Sequence, residues 1–156
     1  MNCFYKYRTI IGPLFILENN GSIVGISNKV EGWQGINKET EVIKETYRQL
    51  SEYFAGKRDS FDIPIKTQGT DFQEKVWNVL KHIPYGETRS YKDIAIAIGK
   101  PKAMRAVGMA NNRNPIMIVI PCHRVIGANG QLIGYGGGLD VKEKLLTLEK
   151  AKYPVP

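Results

Sequence analysis

The chain of 156 residues lacks the features that mark membrane, secreted and metal-binding proteins. No apolar run approaches the ~18 residues that a membrane span needs, and Met1 to Arg8 contains no apolar segment of signal-peptide length. Cys3 and Cys122 are too few for a disulfide framework, so two free thiols in a reducing compartment are expected. Structural zinc needs about four ligands in spaced pairs. The chain has only two cysteines and two histidines, and Cys122 and His123 are adjacent instead of spaced, so no metal and no cofactor is expected.

Acidic residues are absent between Asp93 and Asp140. Five basic residues fall inside this interval: Lys100, Lys102, Arg105, Arg113 and Arg124. Nine Lys and Arg against eight Asp and Glu give residues 1–66 a net charge of +1, whereas thirteen against seven give residues 67–156 a net charge of +6. A basic C-terminal part favours a polyanionic partner such as nucleic acid, although scattered surface lysines give many proteins a basic pI.

Residues 1–66 have the pattern of a small sheet covered by one helix. Three short β-type runs separated by turn residues predict an antiparallel meander over Cys3–Thr9, Leu14–Glu18 and Ser22–Ser27. A helical period follows over Glu39–Ala55, and Phe61–Ile65 is compatible with a further strand. Nothing in these residues suggests chemistry, so we interpret this lobe as a scaffold.

Residues 67–156 predict a mainly helical lobe. Two capping boxes, Thr70 with Gln73 and Ser90 with Asp93, indicate helix starts. A further helix is expected over Lys102–Asn111, and two short helices joined by a tight turn form the helix-turn-helix pattern. The fold class is therefore α/β in the α+β sense, with the boundary between lobes at 66/67.

The open side of the predicted third helix carries Lys102, Arg105 and Gly108. Arg105 stands beside small residues such as Ala106, a form suited to entering a DNA groove. Helix-turn-helix geometry also occurs in proteins that never touch DNA, so the motif does not decide the function alone.

The stretch Pro121–Gly127 places a thiol, an imidazole and a guanidinium side by side. The apolar run Ile116–Ile120 predicts a buried strand that delivers them to its end. A cysteine becomes a nucleophile when nearby positive charge or donors stabilise its thiolate; otherwise it is a small buried hydrophobe. Adjacent side chains on an extended segment point to opposite sides, so a water is expected to link Cys122 to His123.

Two further elements are predicted after this stretch. Asn129-Gly130 between apolar pairs is typical of a hairpin turn. Asp140 with Glu143 predicts the capped start of a last helix that ends near Lys150.

The motifs resemble those of the O6-alkylguanine-DNA alkyltransferases, the methylated-DNA-protein-cysteine methyltransferases. The resemblance runs from about Thr70 to Lys150. The matching motifs are Gly86-Glu87 with Ser90-Tyr91, Arg105 to Gly108, Asn114-Pro115, Pro121 to Val125, Tyr135 with its glycines, and Leu139 to Glu149. The resemblance implies a ribonuclease H-like lobe over residues 1–66 and a winged-helix-like lobe over residues 67–156.

The resemblance implies a reaction centred on Cys122. The thiol attacks the alkyl carbon on guanine O6 and keeps the alkyl group, so each molecule acts once. A relay from His123 through water to Glu149 deprotonates the thiol. Tyr91 and the Gly136 backbone N–H donate to the departing base, and Asn114 acts as a hinge between the recognition helix and the active-site segment.

The resemblance also implies the substrate, double-stranded DNA containing O6-alkylguanine and, less well, O4-alkylthymine. Arg105 fills the place of a flipped nucleotide, with small neighbours in Ala106 and Gly108. The remaining substrate or DNA contacts are assigned to Lys102, Tyr135, Gly136, Val125, Met117 and Arg124, with Arg124 more structural or electrostatic than catalytic. We expect a monomer without membrane association, in the cytoplasm or, in a eukaryote, the nucleus.

Three alternatives to this function stay open at this point. An alkylated-base-binding relative recognises the lesion without transfer, but such proteins replace the cysteine. A helix-turn-helix regulator would need a dimerisation element and a palindromic site. A thiol hydrolase would react with many substrate molecules in succession.

Overall fold

The structure is a computed structural model that describes residues 1–29 and 32–151. It divides into two compact units. The first comprises Met1–Thr67 together with Pro115–Met117, and the second comprises Gln68–Asn114 and the chain from Ile118 onward. In the described part of the chain, no helix combines the length and the apolar character needed to cross a bilayer.

The first unit contains a four-stranded sheet and one helix. The strands are β1 (Asn2–Thr9), β2 (Gly12–Asn19), β3 (Ser22–Ser27) and β4 (Ile36–Asn37), in the order β3-β2-β1-β4. β1, β2 and β3 pair antiparallel, which confirms the predicted meander, and β4 adds a parallel edge beside β1. The turn between β2 and β3 uses Asn20 and Gly21 with φ of 49° and 85°, values that suit asparagine and glycine.

Helix α1 (Glu41–Phe54) supplies the other half of this core. Thr40 caps its N-terminus by accepting a hydrogen bond from the Ile43 N–H. Its inward residues Ile43, Leu50 and Tyr53 are buried, as are Leu14 and Ile16 of β2. The further strand expected over Phe61–Ile65 is wrong, because Ile65 alone forms a bridge, with Ile23.

The second unit is built on four helices and a two-stranded parallel sheet. Its helices are α2 (Asp71–Leu80), α3 (Tyr91–Ala97), α4 (Met104–Asn112) and α5 (Leu139–Leu148), and its strands are β5 (Arg89–Ser90) and β6 (Val125–Ile126). Both predicted capping boxes are confirmed at α2 and α3. Gly99, with φ of 77°, follows the end of α3 and permits the turn into α4.

A buried tryptophan joins α2 to α4. Trp77 donates from Nε1 to the carbonyl of Ala110 over 2.8 Å. Val107, Ala110 and Asn111 are the buried residues of α4, whereas Ala106 is exposed. α4 therefore packs through a narrow strip and leaves most of its surface open.

The predicted strand over Ile116–Ile120 is wrong. Ile116 forms an isolated bridge with Ile26 within the first unit, and the chain then turns. Ile118 has a φ of 75°, which a β-branched residue rarely adopts and which is incompatible with a strand. The apolar run reflects burial of its side chains, not a regular backbone.

Two other local predictions are also wrong. The hairpin at Asn129-Gly130 does not form, because β6 pairs with β5 in parallel instead of with Gln131 and the residues after it. A tight turn does occur there, closed by the Gly127 N–H donating to the Gln131 carbonyl over 2.8 Å. The N-cap of α5 is Gly138, not Asp140, and no side chain caps that end.

Candidate functional site

The cysteine lies in a tight turn in the second unit. Cys122–Arg124 form one turn of 3-10 helix, and all three side chains are buried. The Arg124 N–H donates to the Pro121 carbonyl over 3.0 Å. Because the segment is coiled and not extended, the expectation that Cys122 and His123 point to opposite sides loses its basis.

Two asparagines at the end of α4 hold this turn. Asn114 donates from Nδ2 to the Ile120 carbonyl over 2.7 Å, and Asn111 donates from Nδ2 to the Cys122 carbonyl over 3.3 Å. The exposed helix and the reactive segment are therefore connected through side-chain amides. Asn114 is among the predicted residues, whereas Asn111 was missed. Its signal was weak, since asparagine ranks among the less buried residue types and its neighbour Asn112 is exposed.

The Cys122 thiol is 5% exposed, and burial raises its pKa because a thiolate is poorly solvated there. Hydrogen bonds from Asn114 and Tyr135 and the positive charge of Lys142 act in the opposite direction. At rest, the group is a protonated thiol. A base must remove its proton before it can act as a nucleophile.

His123, Glu149 and Arg124 form a buried network behind the thiol. His123 Nε2 lies 2.7 Å from Glu149 Oε2, and both side chains are fully buried. Burial alone raises the pKa of Glu149, but hydrogen bonds from His123 and Arg124, with the positive charge of Arg124, outweigh it and lower the pKa to about 2. The predicted water between His123 and Glu149 is therefore wrong: the two side chains bond directly.

The state of the imidazole follows from this contact. Burial lowers the pKa of His123 and outweighs its hydrogen bond to Glu149, so the ring is neutral. A carboxylate only accepts hydrogen bonds, which assigns the proton to Nε2 and leaves Nδ1 with a lone pair. Within residues 1–29 and 32–151, no side chain or backbone group bonds to that buried Nδ1. It is an acceptor available for a proton.

Arg124 is placed differently from its predicted DNA contact. Its Nε and Nη2 donate to the two oxygens of Glu149 over 2.8 and 3.0 Å, and Nη1 donates to the Ile83 carbonyl over 2.7 Å. The guanidinium also lies over the Tyr85 ring, 5.7 Å from its centroid. A side chain buried and bonded in this way cannot reach a phosphate, so the DNA contact is wrong and the structural interpretation is retained.

The Tyr91 hydroxyl is hydrogen-bonded to a loop carbonyl in this structure. Its hydroxyl donates to the Ile133 carbonyl over 2.7 Å, with the Gly134 carbonyl at 3.3 Å. Burial, and secondarily the thiolate that Cys122 forms at alkaline pH, raises the pKa of Tyr91 to about 12, so it is a hydrogen-bond donor at neutral pH. Any donation to a bound base has to replace the bond to Ile133.

The same two carbonyls accept hydrogen bonds from a buried lysine that the sequence analysis missed. Lys142 Nζ lies 3.1 Å from the Ile133 carbonyl and 3.2 Å from the Gly134 carbonyl. Its side chain is 0% exposed. A signal existed, since Lys142, Leu146 and Glu149 follow one another at i, i+4 and i+7 and so share a face of α5.

The exposed face of α4 borders a cavity of about 460 Å³. The α4 residues at its edge include Met104, Arg105, Gly108 and Asn112, and Tyr91 and Gly134 lie across from them. A Cβ on Gly108 would lie 3.8 Å from the Tyr91 ring. This volume is in the range of small-ligand sites, and the basic residues Lys92 and Arg105 are among those that line it.

The remaining predicted residues fall into different surroundings. Lys102 and Ala106 are exposed, Val125 is buried in β6, and the buried Tyr135 hydroxyl lowers the pKa of the Cys122 thiol. Met117 belongs to the first unit, where its N–H donates to the Ile26 carbonyl over 3.0 Å. Gly136 is exposed, and a Cβ there would lie 3.0 Å from the Asn112 carbonyl oxygen.

Comparison with protein families gives two matches that together span most of the chain. Residues 4–67 match the ribonuclease-like domain of 6-O-methylguanine DNA methyltransferase, and residues 71–151 match the DNA binding domain of the same family.

Individual relatives agree with the family models. A methylated-DNA–protein-cysteine methyltransferase from Methanosarcina barkeri is 64% identical over 145 residues, covering 90% of this chain and 92% of that protein. A constitutive enzyme of the same name from Bacillus subtilis is 46% identical over 162 residues, covering 98% of each. The crystal structure of Mycobacterium tuberculosis OGT in complex with DNA is 44% identical, with a TM-score of 0.87 over 95% of this chain and 92% of that one.

Proposed function

Because the chain belongs to the 6-O-methylguanine DNA methyltransferase family, we propose that it repairs alkylated DNA by direct reversal, moving the alkyl group to its own Cys122. The observation that carries the proposal is the pairing of a buried Cys122 thiol with a neutral His123 whose Nδ1 is available as a base. The substrate is duplex DNA with O6-alkylguanine and, less well, O4-alkylthymine.

The reaction is a single displacement. His123 Nδ1 takes the thiol proton through one water, and Glu149 stabilises the resulting imidazolium. The Sγ–C bond forms as the C–O6 bond breaks, and the electron pair of that bond leaves with the guanine. Tyr91 and the Gly136 N–H donate to the departing base, as hydrogen-bond donors aimed at developing negative charge do in other active sites. The product is a thioether, so one molecule repairs one lesion.

The base reaches the thiol by leaving the duplex, because O6 is hidden inside the stack. Arg105 on the exposed face of α4 fills the vacated place, and Ala106 and Gly108 allow the helix to approach closely. Lys102 contacts phosphate. A solved relative is bound to DNA, which supports this use of the second unit.

The pocket assignments are part of the same proposal. Tyr135 holds the thiol, Gly136 faces O6, and Val125 belongs to the surroundings of the alkyl group. Asn114 ties α4 to the cysteine turn through its bond to the Ile120 carbonyl.

The two parts of the chain have separate roles in this proposal. Residues 1–66 serve as a scaffold, and residues 67–156 bind DNA and accept the alkyl group. The protein acts as a monomer in the compartment that holds its DNA, the cytoplasm of a prokaryote or the nucleus of a eukaryote.

One experiment separates transfer from binding alone and from turnover. The protein is incubated with duplex DNA carrying O6-[methyl-labelled]guanine, and the label is mapped by peptide mass. One label per molecule on Cys122 is expected, with Cys122→Ala binding the DNA but taking no label and Cys3→Ala labelling normally. Continued release of methyl groups, or binding without label, contradicts the proposal and favours a hydrolase or a lesion-binding protein.

A further inference from the structure

Lys142 is a buried ammonium without an acidic partner. Its side chain is 0% exposed, and Nζ donates to the carbonyls of Ile133 and Gly134. Across residues 1–29 and 32–151, no carboxylate hydrogen-bonds to this ammonium. Burial lowers the pKa of Lys142 to about 8. Lysines are almost never fully buried unless paired, so this placement needs a reason beyond packing.

The surroundings of Lys142 are the parts of the active site. Its ammonium lies 5.9 Å from the ring centroids of both Tyr91 and Tyr135, within the range over which aromatic faces attract cations. The titratable groups facing it are these two phenols, from α3 and from the loop before α5, together with Cys122 and His123 in the 3-10 turn. Cys122 is the member of this group that must become an anion during transfer.

We propose that Lys142 is a positioning residue for alkyl transfer: its ammonium stabilises the Cys122 thiolate by charge and fixes the Ile133–Gly134 segment against the site. This inference rests on the proposed transfer to Cys122. The effect is mutual, because a thiolate at Cys122 favours the protonated form of Lys142 by the same interaction. Lys142 also disfavours a proton on His123, so Glu149 and not Lys142 stabilises the imidazolium.

Lys142 also stabilises the loop segment whose carbonyls accept hydrogen bonds from Tyr91. Tyr91 and Lys142 both donate to the Ile133 and Gly134 carbonyls. When the Tyr91 hydroxyl turns toward a bound base, the two bonds from Nζ keep the segment in place. The loop then holds its position while one of its donors is used in the reaction.

The test measures the thiol without DNA. Iodoacetamide alkylates thiolates: Sγ displaces iodide, and the thiol proton goes to solvent. Its rate at Cys122 is followed by peptide mass from pH 5 to 12 in the full-length chain, with Cys3 as an internal reference in the same molecules. The variants are Lys142→Gln, which removes the charge, Lys142→Arg, which keeps it, and Lys144→Gln, which alters an exposed lysine on the same helix.

An opposite charge nearby lowers a pKa by about 1–3 units. In Lys142→Gln, the rate profile of Cys122 is therefore expected to move up by about one unit or more. The rate at pH 7 falls roughly tenfold or more and rejoins the wild-type rate above the new pKa. Lys142→Arg and Lys144→Gln follow the wild type, and Cys3 is unchanged throughout. A loss that persists at pH values above both pKa values, or an unmoved midpoint, overturns the proposal.

If Lys142→Gln does not fold, a second measurement tests the same interaction from the side of the lysine. In Cys122→Ser, the alkaline end of the Lys142 amine titration, read by NMR of its side chain, is expected to move to lower pH, because the wild-type thiol ionises there and its thiolate favours the protonated amine; an unmoved alkaline end overturns the proposal. Methyl transfer from O6-methylguanine DNA is measured in the same proteins. If the wild type transfers no methyl group, the proposed function fails, while the iodoacetamide profile still decides the role of Lys142.

Discussion

Arg124 holds both carboxylate oxygens of Glu149, with Nε 2.8 Å from Oε1 and Nη2 3.0 Å from Oε2. The next residue toward the N-terminus, His123, bonds to the same carboxylate. The guanidinium thus fixes the orientation of the group that orients the imidazole. The consecutive residues His123 and Arg124 thus both bond to Glu149, at the end of α5.

Replacing Arg124 tests how much this pair stabilises the second unit. Arg124→Met leaves Glu149 buried with one partner fewer, and removing one member of a buried ion pair costs about 3–5 kcal/mol. Urea denaturation at pH 7 measures the loss. Arg48→Met, which breaks an exposed Arg–Glu pair on α1, is the matched control and should change the free energy of unfolding little. Equal effects of the two substitutions would contradict a structural role for Arg124.

The stability of the protein should depend on pH through Glu149. Its pKa is about 2 in the folded chain and near its usual value when unfolded, so the unfolded chain binds the proton more readily. The stabilisation is complete above pH ~4.5 and is lost as the pH falls toward 2, on the order of 3 kcal/mol in all.

Urea denaturation of the wild type and Glu149→Gln between pH 7 and 2 provides the measurement. The wild type should be the more stable at pH 7, and the gap should close between pH 4.5 and 2. A gap that stays constant with pH would refute the assignment.

His123 adds a second loss of stability on acidification, which begins at a higher pH than the loss due to Glu149. Its pKa is lowered in the folded state, so its contribution is present above the usual histidine pKa of about 6.5 and declines as the pH falls below it. In His123→Gln, unfolding free energy should lose its slope between pH 6.5 and 5, while His82→Gln, at an exposed helix end, should retain that slope. The same slope in all three proteins would be evidence against a buried neutral imidazole.

Tyr91→Phe should slow transfer without changing the thiol. Loss of one donor to a developing negative charge typically costs about 10²-fold or more in rate. Single-turnover transfer from O6-methylguanine DNA measures the loss, and the iodoacetamide profile of Cys122 should stay in place. Tyr5→Phe, in β1, is the control. If Tyr91→Phe transfers at the wild-type rate, the hydroxyl does no more than hold the Ile133 carbonyl.

Arg105→Ala should affect duplex DNA more than free base. If the side chain fills the vacated stack, its loss is expected to slow transfer from duplex roughly tenfold, equivalent to about 1.4 kcal/mol, and to leave transfer from free O6-methylguanine base almost unchanged. Arg113→Ala removes the same charge just after α4 and controls for general attraction to phosphate. Equal losses on duplex and base, or equal losses in both variants, argue against base flipping through Arg105.

The features that sequence predicted well depend on neighbours along the chain. The capping boxes at Thr70 and Ser90 each join residues three apart, so composition and spacing suffice to identify them. The strand over Ile116–Ile120 failed because apolar composition reports burial, whereas the turn at Ile118 is set by contacts that the run does not contain.

In the site, too, contacts between residues far apart in sequence were the ones that could not be predicted. Cys122 and His123 were identified as chemical candidates from their position, and the role of Glu149 came from the resemblance. The contact of Arg124 with Glu149 spans 25 residues and could not be inferred from local pattern. Lys142 was missed because its burial depends on two loop carbonyls, and exposed lysines are the usual expectation.

The burial of Cys122 has a consequence for the protein as a population. Once Sγ carries an alkyl carbon as a thioether, recovery of the thiol would need a second nucleophile to reach that carbon inside the same packing. The number of lesions that can be corrected is then set by how many unreacted molecules are present, not by how fast each one works. Protection of the DNA becomes a titration, in which every reacted molecule lowers the remaining capacity by one.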